Sequence, residues 1–360
     1  MVQRYDVIIV GAGPAGSTAA KYAARGGASV LFIDKRKEIG VPVQCGEFLP
    51  ANNELKEMLP NAPGIDEVFD VDEKLVQRRT EKIVLISPKG KEYAIGFEGY
   101  TVNRDELDRR LADTAVKEGA KLMADTKFIS IKGHTILTSR GKFEYRVLVA
   151  ADGPFSGVCR SASLGLVRLH SPAITCQVKG DFDDVVKMYF GKRAAPGGYA
   201  WVIPKSGCAN VGLGIQKSGK PLIRHLRNFL DKNNFRTKKV SAGFVPISGP
   251  IKRTVNGDIL AVGDAAGQVM ATNGGGVPIA MICGRLAGIA AAKRVKNNKP
   301  LDNYEKEWRA AVGKELATAV KTKRLADHFF RFDSTLEFAM KRLGEKGLER
   351  AIRCRRVFRG

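Results

Sequence analysis

The 360-residue sequence predicts an α/β fold on a mostly parallel sheet, and three observations carry that prediction. Residues 7–10, 147–151 and 259–262 are short runs that stay apolar throughout rather than alternating, the pattern of strands covered on both faces. Each run ends in glycine or acid: Gly11, Asp152-Gly153 and Gly263-Asp264. The first and third are followed by Ala-rich segments of helical composition, so strand, turn and helix recur in one order.

The first unit is the most informative. Its strand leads into Gly11-Ala12-Gly13-Pro14-Ala15-Gly16, then a predicted helix over 17–25 and a second strand, 29–33, that stops at Asp34. A glycine turn alone is a weak signal. Placed between strand and helix, with an acid 18 residues after Gly16, it predicts a dinucleotide site. Gly11 permits the tight turn, Gly13 lets backbone approach a pyrophosphate, and Gly16 lets the helix pack close to the sheet. The helix N-terminus offers unpaired N–H groups to phosphate. Asp34 can accept hydrogen bonds from a ribose 2′-OH, which favours FAD or NAD over NADP. Ala15 and Lys35 are expected beside it.

The three blocks in this order resemble flavoproteins of the glutathione-reductase fold, in the subgroup shared with p-hydroxybenzoate hydroxylase. That resemblance implies FAD as cofactor, held in a Rossmann-type domain with an inserted α+β substrate domain and a helical C-terminus. It implies that Asp264, after Gly263, holds the ribityl chain. Gly275, Gly276 and Val277, opening the last helix of the fold, would face the isoalloxazine. Asp152-Gly153 would lie near the pyrophosphate, and Arg104 would stand against FAD; a solvated arginine near a helix start is the plainer reading.

A narrower resemblance lies in the middle third. Pro196-Gly197-Gly198-Tyr199-Ala200-Trp201-Val202-Ile203-Pro204 is similar to the Tyr-x-Trp-x-Phe-Pro signature of the geranylgeranyl reductase family, with Ile203 where that family usually has Phe. Gln44-Cys45-Gly46-Glu47 is similar to the same family's N-terminal cysteine motif. The likeness covers roughly 1–310; beyond it the C-terminus is shorter than in many relatives, so the likeness does not define the shape of the lipid tunnel's far end. It implies a FAD-dependent reductase that saturates isolated C=C bonds in the geranylgeranyl chains of archaeal ether phospholipids. Cys45, Tyr199 and Trp201 become the candidate catalytic residues, with Cys45 and Gly46 also near the cofactor. Read from the residues alone, Tyr199, Trp201 and Ile203 alternate and share one strand face, an aromatic wall suited to a prenyl chain or simply sheet core.

The predicted FAD domain is discontinuous, at 1–50, 100–165 and 250–300. Residues 51–99 and 166–249 form the expected substrate sheet. It includes a hairpin of 82–87 with 92–97 and a basic helix near 222–230. The remainder, 301–360, reads as helical and basic. Ser334-Thr335-Leu336-Glu337 has capping-box spacing, and Leu336, Met340 and Leu343 form an apolar stripe, either a lipid-seeking face or a packed one.

Composition narrows the partners. Lys+Arg of 60 against Asp+Glu of 37 gives +23, which predicts attraction to polyanions such as an anionic membrane surface. The six cysteines have no metal or iron–sulfur spacing and suit a reducing interior, so a cytoplasmic, peripherally membrane-associated protein is expected. No stretch is long and apolar enough to span a bilayer comfortably; 277–292 is interrupted by Arg285. Only one glycine fingerprint is present, so the electron donor is either transiently bound NAD(P)H or a protein such as ferredoxin. Two other functions stay open: an aromatic monooxygenase or halogenase on the same scaffold, and an RNA-binding flavoprotein. The spread of charge, without a basic stripe interleaved with aromatics, argues against nucleic acid.

Overall fold

The computed structural model describes residues 2–216, 218–237, 239–355 and 357. Gln3–Val10 lies at the centre of a parallel array. It pairs with Val30–Ile33 on one side and Gly141–Ala150 on the other; Lys121–Met123 and Ile259–Ala261 extend the array outward. Val255–Asn256 closes one edge antiparallel. Both faces are covered, which is why the strands read as unbroken apolar runs. Val7, Ile9, Phe32 and Val149 face one core, and Ile8, Val10, Leu31 and Leu148 face the other.

Helices Pro14–Arg25 and Val277–Asn297 pack at backbone contact because glycines face the seam. A Cβ on Gly284 would stand 2.5 Å from the Ala15 carbonyl oxygen, and one on Gly288 would stand 2.4 Å from that of Ala19. Both helix N-termini open toward the carboxyl ends of the parallel strands, where α/β sheets bind their ligands.

A second eight-stranded sheet lies beside the first. The hairpin Val76–Ile86 and Glu92–Val102 runs beyond the expected strands at the ends away from the turn, back to Val76 and on to Val102. Phe48–Pro50 pairs with Glu92–Val102, and the remaining strands run through Val186–Phe190, Tyr199–Lys205, Cys208–Gly214 and His170–Lys179 to Val240–Pro246. Helix Leu222–Lys232 covers the outer face: Ala200, Val202, Val211 and Leu213 pack with Leu226 and Phe229. Trp201 and Ile203 turn to the inner face.

The C-terminal region is helical: Asp302–Trp308, Lys314–Phe329 and Asp333–Ile352, the last interrupted at Gly344. The capping box is absent. Helix Asp333–Ile352 takes Phe332 as N-cap, and Thr335 lies inside the first turn, donating its hydroxyl to the Phe329 and Phe332 carbonyls. The stripe of Leu336 and Met340 is buried in the main core, with Leu343 packed at its edge. Arg353 fastens this region through a buried two-pronged pair with Glu54 of helix Asn52–Met58, at 2.8 and 3.0 Å, and reaches the second sheet by donating to the Gly96 carbonyl at 2.9 Å. Among the described residues no helix is long and apolar enough to cross a membrane.

Candidate active site

The glycine turn acquires its shape from two close approaches. Gly11 has φ +107°, and a Cβ there would lie 2.1 Å from the Ala151 carbonyl oxygen; one on Gly16 would lie 1.8 Å from the Gly11 carbonyl oxygen. Gly13, the N-cap of the first helix, has nothing within 4 Å of where a Cβ would stand. Asp34 holds the turn: its two carboxylate oxygens accept from the N–H of Ala12 and of Arg36, each at 2.8 Å.

One cavity of about 2460 Å³ runs from this turn between the two sheets to the C-terminal helices. Gly11, Gly13, Ala15, Asp34, Lys35, Cys45, Gly46, Arg104, Asp152, Gly153, Asp264, Gly275, Gly276 and Val277 line it, together with Tyr199, Trp201 and Ile203. Gly16 and Gly263 do not. They stand one layer back, where Gly263 (φ +65°) would place a Cβ 2.8 Å from that of Ala15. Asp152 is largely committed to the helix Gly157–Ser161, accepting from Ser156 Oγ and from the N–H of Gly157 and Val158. Burial raises its carboxyl, and those bonds oppose the rise.

These residues fit a flavin dinucleotide. The Asp264 carboxyl accepts no hydrogen bond from any described residue, and burial pushes it up to about 6, with Arg104 pulling the other way. Such an acid on a cavity wall suits a chain of hydroxyl donors. Arg104 Nε is buried without a partner, and Gly153, like Gly13, leaves its backbone open to a ligand. Burial disfavours the Arg104 charge, but Asp108, bonded at 2.8 and 3.2 Å, and Cys45 outweigh it and hold the guanidinium protonated.

The Cys45 loop is built on a polar network that sequence reasoning did not find. Cys45 Sγ accepts from Arg104 Nη1 at 3.1 Å and from the Glu47 N–H at 3.2 Å. Glu47, 1% exposed, pairs with Lys205, also buried, at 2.9 Å and accepts from Gln177 and from the Arg104 N–H. Asn210 joins the parts. Its amide donates to the Cys45 carbonyl and to Glu47, both at 2.9 Å, and its oxygen accepts from Thr175 and from Trp201 Nε1 at 2.8 Å. All four bonds that an Asn side chain can make are used. The signal in the sequence was an Asn inside the otherwise apolar strand Cys208–Gly214.

Tyr199 donates its hydroxyl to the Asn273 carbonyl at 2.5 Å, and burial raises its phenol further above the ordinary value. Its ring stands 5.9 Å from those of Trp201 and of Phe190, and Phe190 in turn meets Phe330. Gly46 lies against this wall: a Cβ there would be 3.1 Å from Ile203 Cδ1.

Fold and site together define a FAD-dependent oxidoreductase, and comparison with known proteins agrees. Residues 6–48 match the FAD dependent oxidoreductase family, and residues 173–245 match the geranylgeranyl reductase catalytic domain. The digeranylgeranylglycerophospholipid reductase of Methanocaldococcus jannaschii is 33% identical over 370 residues, spanning 95% of this chain and 91% of its own. Reductase 2 of Methanothermobacter thermautotrophicus is 35% identical over 90% of this chain and 88% of its own. The chain belongs to the digeranylgeranylglycerophospholipid reductase family. The crystal structure of a geranylgeranyl bacteriochlorophyll reductase-like protein from Thermoplasma acidophilum superposes with a TM-score of 0.81 at 27% identity, over 95% of this chain and 91% of that one. A flavin-dependent brominase, 20% identical with a TM-score of 0.70 over 98% of this chain and 92% of its own, shares the fold alone.

Proposed function

We propose that this chain saturates isolated C=C bonds in the geranylgeranyl chains of archaeal-type ether phospholipids. The observation that supports it best is the cavity. At about 2460 Å³ it exceeds the roughly 300–1,000 Å³ of ordinary small-ligand pockets. That leaves space for a long apolar chain beside the dinucleotide, along a wall of Phe190, Tyr199, Trp201, Ile203 and Phe330.

Bound FAD, once reduced, supplies hydride to one alkene carbon, and the other carbon takes a proton. In this reading Gly11, Gly13 and the helix N-terminus behind them hold the pyrophosphate, with Gly153 alongside. Asp34 takes the adenosine ribose, Asp264 the ribityl hydroxyls, and Gly275, Gly276 and Val277 the ring system. Arg104 bridges the cofactor side and Cys45. Tyr199 and Trp201 have spent their polar atoms on Asn273 and Asn210, so they act as walls that align the chain and exclude water. Of the three candidate catalytic residues Cys45 is the one whose polar hydrogen is given to no described residue, and Arg104 and the Glu47 N–H fix the direction of its sulfur. Reducing equivalents come either from transiently bound NAD(P)H or from a protein such as ferredoxin. The net charge of +23 supports working against an anionic membrane surface.

The test is product mass. Holoprotein reduced with dithionite is incubated with a digeranylgeranyl glycerophospholipid in detergent, and the product should gain two hydrogens per bond saturated. An unchanged lipid mass with flavin that stays reduced would overturn the reading.

A further inference from the structure

The helical hairpin of Lys314–Phe329 and Asp333–Ile352 separates its charges between two faces. Every acid is turned inward or already engaged. Glu315 is buried, Asp327 pairs with Lys323, and Glu349 pairs with Arg353. Asp333 accepts from the Lys192 N–H, Glu337 from that of Lys89 and Glu345 from that of Ala94, so three carboxylates fasten the hairpin to the second sheet.

The cations face outward. Lys321, Arg324, Arg331, Lys341, Arg342 and Lys346 are exposed, and among the described residues none has an ion-pair partner. Among them stand three large apolar side chains, Leu325, Phe332 and Phe338, at 43%, 59% and 67% exposure. Leu325 and Phe338 also line the cavity, as do Lys321 and Arg342, so these residues form the rim of its mouth. Scattered exposed apolar residues need no explanation, but aromatic side chains set among unpaired cations at the entrance of an apolar cavity have the composition of an interfacial lipid-binding surface.

We propose that this face of the hairpin docks on an anionic lipid bilayer, with Phe332 and Phe338 entering the headgroup layer. Prenyl tails then pass from bilayer to cavity without crossing water. What passes through the mouth rests on the reductase reading; the docking does not need turnover to be tested.

FAD-loaded protein is floated with vesicles of phosphatidylglycerol and phosphatidylcholine, and with phosphatidylcholine alone. It should rise with the anionic vesicles, and less as salt is raised. The double variant Lys341→Gln, Lys346→Gln should bind about twenty-five-fold more weakly, taking roughly fivefold per basic residue near the surface. Phe332→Ser should weaken binding with the salt dependence unchanged. These three side chains lie outside the cavity, so FAD content and reduction of a detergent-dispersed prenyl lipid should stay at the parental level. Parental affinity in the double variant, binding indifferent to lipid charge, or a parent that captures an oligonucleotide and not vesicles would each overturn the proposal. A parent that docks yet leaves the dispersed lipid unreduced supports the docking surface and sinks the reductase reading.

Discussion

Asn210→Ala removes a side chain that hydrogen-bonds both the Cys45 loop and Trp201. Asn210 is fully buried and makes four hydrogen bonds. Glu47 keeps Lys205, Gln177 and the Arg104 N–H, and Thr175 retains the Val211 carbonyl at 3.4 Å. Trp201 Nε1 and the Cys45 carbonyl are left without those partners. Each orphaned buried group costs about 1–3 kcal/mol, so the pair costs about 2–6 kcal/mol. A water admitted to the vacated space recovers part of this, and we expect a net loss of about 3 kcal/mol. Urea unfolding of the holoprotein, followed by flavin emission and far-UV circular dichroism, should show a lower midpoint with the slope unchanged. The released indole and loop should also lower kcat, on the order of a hundredfold for a displacement of about 1 Å, with a smaller change in KM. Parental midpoint and parental kcat together would refute the reasoning.

Three further outcomes follow from the same geometry. Cys45→Ala should leave FAD bound and lower turnover; unchanged turnover on a saturating lipid removes Cys45 from the mechanism. Asp264 has a folded value raised to about 6, so its contribution to apoprotein stability is fully present below its unfolded value near 4 and is lost as pH rises through 6. Relative to Asp264→Asn, the parent apoprotein should therefore lose about 2.5 kcal/mol between pH 4 and pH 8; parallel urea midpoints across that range would show that burial does not act on this carboxyl. Arg353→Met strands the buried Glu54 carboxylate and should cost about 3–5 kcal/mol, whereas adding Glu54→Leu should recover much of it; a double variant no better than the single one would mean that the ion pair is not what fastens the chain end.

Local chemistry was legible without coordinates. The order of strand, glycine turn, helix and acid constrains backbone within some thirty residues. Gly16 answers to a contact inside that unit, with the Gly11 carbonyl, whereas Gly11 meets Ala151 of a distant segment and Gly13 has open space beside it. The alternation of Tyr199, Trp201 and Ile203 on one strand face follows from the pleat alone. The polar network was not legible, because Asn210 and Glu47 are 163 residues apart and Gln177 and Glu47 are 130 apart. Glu47 was visible only as part of a motif, and Lys205 only as the residue after Pro204. The capping box failed for a related reason: the hairpin turn places Phe332 in extended backbone and admits Ser334 to the helix, so side-chain spacing alone did not locate the helix start.

The amino-acid order by itself determined the parallel sheet, the dinucleotide turn and the family, since these rest on backbone geometry and short-range spacing. Tertiary structure decided what the C-terminal segment does. The Leu336 and Met340 stripe suited lipid or protein equally as a sequence, and it took the second sheet and its loops, with the Gly96 carbonyl for Arg353 and N–H donors for Asp333, Glu337 and Glu345, to bury it. Once those acids are engaged inward the outward charge is one-sided, a property of the folded surface that no count along the chain contains.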